Sequence, residues 1–371
     1  MTDRIDAFEG ARGVLALWVV VYHVLAISGI SVPGLLLGDH AVSVFFALSG
    51  FVIAFLLSRQ EQSYRSFITN RFFRLYPVYA LCVAIGAGLI AMGLMPKRVE
   101  PGTELIHGLL HGTMLHGLVP DGFLRGSSSA FLNPAWSISV EWQFYLVIPF
   151  FFYLLKKYRT AAWILLFASA LAHRLLAEVN APVGGAMLVA HSKLFVVGIT
   201  SFFLYTWALQ HRASVSRAAG LLSIGVPMLA LSFLPLGPNV GLLIWLCLFG
   251  CVLSVRLGCA PYPMRMLNDV LIAPRILWLG TISYPLYLVH EPVVWLCLHL
   301  VRRLLPFADL PVMATAIGLA ALPASLSLAS VCHKYIEVPG IAWGKQLAGR
   351  KSRVATRPVD TRADAGIPRE P

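Results

Sequence analysis

The chain has 371 residues, 58% of them hydrophobic and 12% charged, with a mean hydropathy of +0.76 and a formal net charge of +12. A soluble domain carries about twice that charged fraction, so the composition excludes an ordinary water-soluble enzyme and points to a polytopic membrane protein. The basic residues are scattered in short clusters between apolar runs, which makes them topology signals or phosphate ligands; no nucleic acid is expected as a partner.

Runs of about 20 apolar residues place ten expected spans near 13–32, 40–58, 75–95, 134–155, 160–178, 191–210, 218–236, 239–257, 276–301 and 312–333. The expected class is therefore all-α, a polytopic integral membrane protein of about ten transmembrane helices. Ahead of the first span Asp3, Arg4, Asp6 and Glu9 mix their charges and no small-residue cleavage site follows, so that span is expected to stay in the protein. With the N-terminus in the cytoplasm, only Lys97, Arg98, Arg125, Arg174, Lys193, Arg302 and Arg303 of the basic residues fall outside, an asymmetry that puts both termini in the cytoplasm.

The first stretch with chemistry runs from Arg12 to His23, separated by ten apolar residues. Eleven steps of about 100° bring the two side chains to one helix face, about 16 Å apart along the axis. An arginine at the inner membrane edge and a histidine near the midplane can hold a long polyanionic ligand at its charged end and meet its reactive end. An ionisable group at that depth is costly enough to be read as functional. Asp39-His40 opens the second span as a helix cap or an acceptor contact.

Arg71-Phe72-Phe73-Arg74 comes just before the third expected span, at the inner edge, and its two guanidiniums share a face that suits phosphate or pyrophosphate. The alternative is a pair of snorkelling topology charges. Residues 96–133 form an expected outer loop that dips into the membrane surface, with His107, His111 and His116 solvated or interfacial. Further on, Glu141 sits about 10 Å below the outer start of its span, as a structural ion-pair partner or a catalytic group. Trp136 and Trp142 suit the outer aromatic belt.

In the ninth span, Pro285 and Pro292 are expected to break the helix around His290 and Glu291, and His290 either lines a site or packs. Cys82, Cys247, Cys251, Cys259, Cys297 and Cys332 lie in or beside apolar segments without ligand spacing, so they are read as packing residues, and no metal site is expected. The membrane domain covers residues 1–340. Residues 341–371 read as a basic, disordered cytoplasmic tail that lies against anionic lipid. No internal repeat is visible.

Several of these pieces together resemble the acyltransferase family 3 membrane proteins, which acylate sugars on bacterial surface polysaccharides and some antibiotics. The carriers are Arg4 to Arg12 leading into His23, Phe45 to Phe51, Arg71 to Pro77, Trp136-Ser137 through Glu141 to Phe144-Tyr145, Ser283 to Tyr287 with His290 and Pro292, and Tyr335 to Pro339. The resemblance covers about residues 4–340. It implies a ten-span core in the bacterial inner membrane, a cytoplasmic acyl-CoA donor, acetyl-CoA being the commonest, and an acceptor hydroxyl of a sugar, polysaccharide or glycolipid on the outer side.

The same resemblance carries the arginine–histidine pair onto Arg12 and His23 and the double arginine onto Arg71 and Arg74. Many relatives carry a further span and an extracytoplasmic hydrolase-like domain after the core; neither is expected here. On the residues themselves, Arg12, Arg71 and Arg74 suit the phosphates of CoA, and His23 suits a general base or a transient acyl carrier, with Glu141 or Glu291 orienting its ring. Two competing readings are a secondary transporter or flippase that relays protons through buried His and Glu, and a catalytically inactive scaffold.

Overall fold

The structure, a computed structural model, describes residues 5–59, 62–178, 184–212 and 240–352. Every regular element among them is helical: α1 (Asp6–Ile27), α2 (Gly38–Arg59), α3 (Tyr64–Ala91), α4 (Glu104–Gly112), α5 (Ala135–Lys157), α6 (Arg159–Glu178), α7 (Leu188–Gln210), α8 (Val240–Leu257), α9 (Tyr262–Leu271), α10 (Pro274–Thr281), α11 (Ser283–Leu304), α12 (Leu310–Cys332) and α13 (Val338–Ser352). A π turn at His333–Glu337 joins α12 to α13 without a break. Among the described residues, eight helical runs are long and apolar enough to cross a membrane: α1, α2, α3, α5, α7, α8, α11 and the run that begins with α12. The chain is an all-α, polytopic membrane protein. The fifth expected span is α6, whose apolar stretch is short, and the seventh, 218–236, lies outside the described residues.

Two helices start earlier than their apolar runs. The first begins at Asp6 rather than 13, and α3 begins at Tyr64 rather than 75, where Ser63 caps it by accepting from the Ser66 amide at 3.2 Å. Arg12, Arg71 and Arg74 therefore do not lie at a helix edge but about 9, 10 and 15 Å inside their helices, at 1.5 Å rise per residue. Hydropathy ends a span at the first charge, whereas these charges face neighbouring helices.

The ninth expected span also differs. It breaks at Ile282, between α10 and α11, and Pro285 falls in the first turn of α11, where a missing amide proton leaves no bond unmade. Only Pro292 lies inside that helix. At the C-terminal side, residues 341–352 continue as α13 along α3, and 353–371 lie outside the described residues. Pro77 in α3 frees the Phe73 carbonyl, and α13 presents Gly340 to it so closely that a Cβ there would lie 2.7 Å from that oxygen.

The segment 92–134 stays on one side of the bundle, since α4 with nine residues is too short to cross. Its amphipathic pattern is inverted. Leu105, Ile106 and Leu109 face outward, while His107, His111 and His116, expected to be solvated, are fully buried. At a membrane surface the apolar face of such a helix turns to lipid, which leaves its polar face for the protein.

The first helix is the axis of the molecule, packing against α2, α8, α9, α10, α11 and α12. Hydrophobic transfer does not drive helices together in lipid, so small residues and close van der Waals contact must do it. Accordingly Gly13 of α1 crosses Gly280 of α10, and Gly50 of α2 meets the Phe195 carbonyl of α7 while Gly198 meets the Ala47 carbonyl. A Cβ at Gly50 would overlap backbone. Gly50→Ala should therefore lower the thermal midpoint in detergent by several degrees, an overpacking cost of about 1–3 kcal/mol. Gly88→Ala, which meets nothing within 4 Å, should melt no lower than the wild type. Equal midpoints for the two variants would mean that α2 and α7 are not in this close contact.

Candidate functional site

Three cavities follow one another along α1. The first, about 480 Å³, opens at the end of the bundle that carries Ile5 and is lined by Glu9, Arg12, Arg74, His333 and Glu337. The middle one, about 70 Å³, is narrow and lined by Ser49, Glu141, Tyr145 and the arginines 12, 71 and 74. The third, about 430 Å³, lies at the opposite end and holds His23, Asp39, Trp136, His191 and Tyr287. The first two share Arg12, Leu48, Val52 and Arg74, and the last two share Val42 and Tyr287. They adjoin end to end through these shared lining residues.

The middle cavity collects polar and charged side chains from four helices: Arg12 from α1, Ser49 from α2, Arg71 and Arg74 from α3, and Glu141 and Tyr145 from α5. Glu141 Oε1 accepts from Ser49 Oγ at 2.8 Å and from the Tyr145 hydroxyl. The Arg71 guanidinium also stands over the Phe67 and Tyr145 rings, at 5.8 and 5.9 Å. The Nε atoms of Arg12 and Arg71 are buried with no hydrogen-bond partner in the protein. A buried donor left unmade costs about 1–3 kcal/mol. The cluster fits phosphate.

At the far end His23 meets His290. Its Nδ1 lies 2.9 Å from the Val19 carbonyl and 3.2 Å from His290 Nε2, and His290 Nδ1 lies 3.2 Å from the Leu286 carbonyl. A carbonyl only accepts, so each Nδ1 carries its ring's proton. His290 Nε2 then offers a lone pair to the His23 Nδ1–H, and His23 Nε2 keeps its own lone pair while the ring lines the far cavity. Neither expected carboxylate orients this imidazole. Glu141 is engaged with Ser49 and Tyr145, and Glu291 pairs with Arg98 at 2.7 Å and accepts from the Asn133 amide at 2.6 Å.

That second contact has its own use. Glu291 is buried next to His290 on α11, and its two partners bracket the segment 98–133, so one carboxylate ties the cover of the far cavity to the helix carrying His290. Asp39 lines this cavity as well, whereas His40 bonds the Gly34 carbonyl at 2.8 Å. Among the described residues no group of three or more His, Cys, Asp or Glu is placed to hold a metal ion.

Of the six residues singled out from sequence, Arg12, Arg71, Arg74 and Glu141 come together in the middle cavity, and His23 and His290 touch in the far one. Ser49, Ser137, Tyr145, Tyr284 and Tyr287 stand within the motifs that carry the family resemblance, without being singled out there as site residues. A helical signal existed for two of them, since Tyr145 is four residues from Glu141 and Tyr287 three from His290. Nothing local marks Arg98.

A family model described as "Acyltransferase domain" matches residues 5–332. The chain is 38% identical over 128 residues to Acyltransferase MdmB of Streptomyces mycarofaciens, a match covering 33% of this chain and 30% of that protein. It is 34% identical over 157 residues to Protein 2 in the picA locus of Rhizobium radiobacter, covering 38% and 78%. Over 320 residues it is 25% identical to YrhL of Bacillus subtilis, which carries the name of a peptidoglycan O-acetyltransferase, covering 78% of this chain and 48% of that one. The chain thus spans less than half the length of MdmB and of YrhL. No solved structure matches it.

The buried histidines of the covering segment generate a pH dependence. The His111 and His116 rings stack at 3.9 Å, and burial pushes His111 down to about 4 and His116 well below its usual value. When the segment opens, such a ring takes a proton at about 6.5. The closed segment is then fully stable above that pH and weakens as pH falls towards 4. Limited proteolysis between residues 96 and 133 should accelerate from pH 7 to pH 5, and His111→Phe should flatten the change. Cleavage at one rate at both pH values would remove these histidines from the closure.

Proposed function

The chain belongs to the acyltransferase domain family, and from that membership we propose that it is a membrane O-acyltransferase. It takes an acyl group, acetyl in the first instance, from cytoplasmic acyl-CoA and delivers it to a hydroxyl of a sugar, polysaccharide or glycolipid on the outer side of the bacterial inner membrane. The observation that supports this reading is the row of adjoining cavities, with the arginines 12, 71 and 74 towards one end and the His23 imidazole at the other. The end that carries Ile5 is the cytoplasmic one, in line with the bias of the basic residues.

The donor enters the cavity of about 480 Å³, and its phosphates bind Arg12, Arg71 and Arg74. Glu141, fixed by Ser49 and Tyr145, serves as a counter-charge that orients these arginines rather than as a partner of the imidazole. The pantetheine arm follows the narrow cavity along α1 and covers the distance of about 16 Å from Arg12 to His23. His23 Nε2 takes the proton of the acceptor hydroxyl as general base, and His290 behind it is a positioning residue that holds the ring in the productive tautomer. The name of YrhL supports a carbohydrate acceptor.

His23→Ala should leave a folded, membrane-inserted protein whose acyl transfer falls by about 10²–10⁴-fold, the range of a lost general base. Arg71→Lys and Arg74→Lys should raise the acyl-CoA concentration needed for half-maximal rate more than the acceptor concentration, because a lysine cannot form the bidentate fork. Product at the wild-type rate from His23→Ala, with normal detergent-solubilised yield, would remove the imidazole from the reaction.

Sealed vesicles separate this reading from transport. With labelled acyl-CoA on the side of Ile5 and a sugar acceptor on the other, label should become covalently attached to the acceptor while free CoA stays on the donor side. Label crossing as a free solute, with the acceptor unmodified, would replace the enzyme by a transporter or flippase.

A further inference from the structure

An acyl transfer from a thioester passes through a tetrahedral intermediate whose oxygen carries a full negative charge, and stabilising that charge is usually the largest single contribution to such a reaction. The donor for that oxygen must stand where the thioester carbonyl sits. The carbonyl is tethered to an arm in the middle cavity and must be reached by a hydroxyl in the far cavity. It therefore lies at the neck between the two.

Val42 and Tyr287 are the residues that line both cavities. Val42 offers no polar side-chain atom, so among the described residues Tyr287 is the one that brings a side-chain donor to both linings. It is also held in place. Ser137 Oγ lies 3.0 Å from the Pro134 carbonyl and 2.8 Å from the Tyr287 hydroxyl oxygen. The carbonyl takes the serine proton, so the phenol donates to Ser137 in the resting site, with the Pro134 carbonyl 3.5 Å away as its other acceptor. On the other side the phenol ring stands 6.1 Å from His290, whose own ring is 4.8 Å from His23. The phenol and the base thus stand on the neighbouring helices α11 and α1, with the His290 ring near both.

Resting on the acyl-transfer reading, we propose that the Tyr287 hydroxyl is the oxyanion donor of this site and that Ser137 is the positioning residue that aims it. As His23 Nε2 removes the acceptor proton, the acceptor oxygen forms a bond to the thioester carbon and the carbonyl π pair moves onto oxygen. The Tyr287 O–H turns from Ser137 to that oxygen. Collapse of the intermediate restores the carbonyl and breaks the C–S bond, and the departing thiolate takes the proton from the His23 imidazolium. The products are an O-acyl ester and free CoA thiol, with His23 neutral again. No oxidant, reductant or further reactant is required.

The phenol fits this task better than an ammonium or guanidinium would. A cation at the neck would hold a carboxylate or phosphate contaminant in the acyl position. A neutral O–H responds mainly to charge that develops in the transition state, which raises the rate constant without tightening donor binding.

The test uses the full-length protein in detergent or vesicles, acetyl-CoA as donor and a soluble oligosaccharide as acceptor, with initial rates at varied concentrations of both. Tyr287→Phe removes one oxygen. It should lower kcat by about 10²–10³-fold, with the acetyl-CoA KM within a factor of about two and an unchanged thermal midpoint. Ser137→Ala should lower kcat less than Tyr287→Phe, and the double variant should be no slower than Tyr287→Phe alone, since both act through one hydroxyl. A Tyr287→Phe enzyme with wild-type kcat, or one whose loss lies wholly in acetyl-CoA KM, overturns the assignment while leaving the acyl-transfer reading intact. A wild-type protein that releases no CoA thiol and labels no acceptor overturns that reading, and this assignment with it.

Discussion

Three guanidiniums placed two to three turns inside an apolar bundle impose conditions on everything around them. A cation at that depth is costly unless it faces other charges, aromatic rings or water. Here it faces all of these kinds of relief in part: Glu141 from α5, the Phe67 and Tyr145 rings, and the cavities that open towards Glu9 and Glu337. The relief is incomplete, because the Nε atoms of Arg12 and Arg71 remain unpartnered. On the proposed reading, that shortage favours the binding of a phosphate.

Holding such a cluster requires a scaffold that does not yield. The helices that carry it, α1, α2 and α3, are therefore fixed by backbone-level contacts: Gly13 against Gly280, Gly50 against Phe195, and Gly340 of α13 against the carbonyl that Pro77 frees in α3. A second fastening works at the far end, where the buried Glu291 holds Arg98 and the Asn133 amide. Glu291 is buried and Arg98 partly so, so the cover over the His23–His290 pair is tethered and not a loose loop. Rigidity at both ends leaves the narrow middle as the place where a thin, flexible ligand must adapt.

Much of this was legible in the sequence, for identifiable reasons. Hydropathy located the long helices because a lipid environment demands apolar length, and the 100° step aligned Arg12 with His23 on one face. Hydropathy misplaced the starts of α1 and α3 for a related reason: it counts a charge as the end of a span without knowing that the charge has partners. The approach of His290 to His23 across 267 residues, and of Arg98 to Glu291 across 193, has no periodic signature, since it depends on which helices become neighbours. The histidines of α4 misled because an inward polar face is normal for a helix lying against lipid and abnormal for one in water.

The layout of the cavities also explains why a membrane is part of the proposed mechanism rather than its mere location. Moving a polyanion such as CoA through hydrocarbon is prohibitive, and the cavity of about 480 Å³ on the side of Ile5 is the wider of the two that Arg12 and Arg74 line. On the proposed reading the charged end therefore stays with the arginines, the uncharged acyl end advances to the neck at Val42 and Tyr287, and the acceptor never leaves the opposite side. The compartments remain separated throughout, since the group that crosses is small, neutral and covalently held until the moment it is transferred.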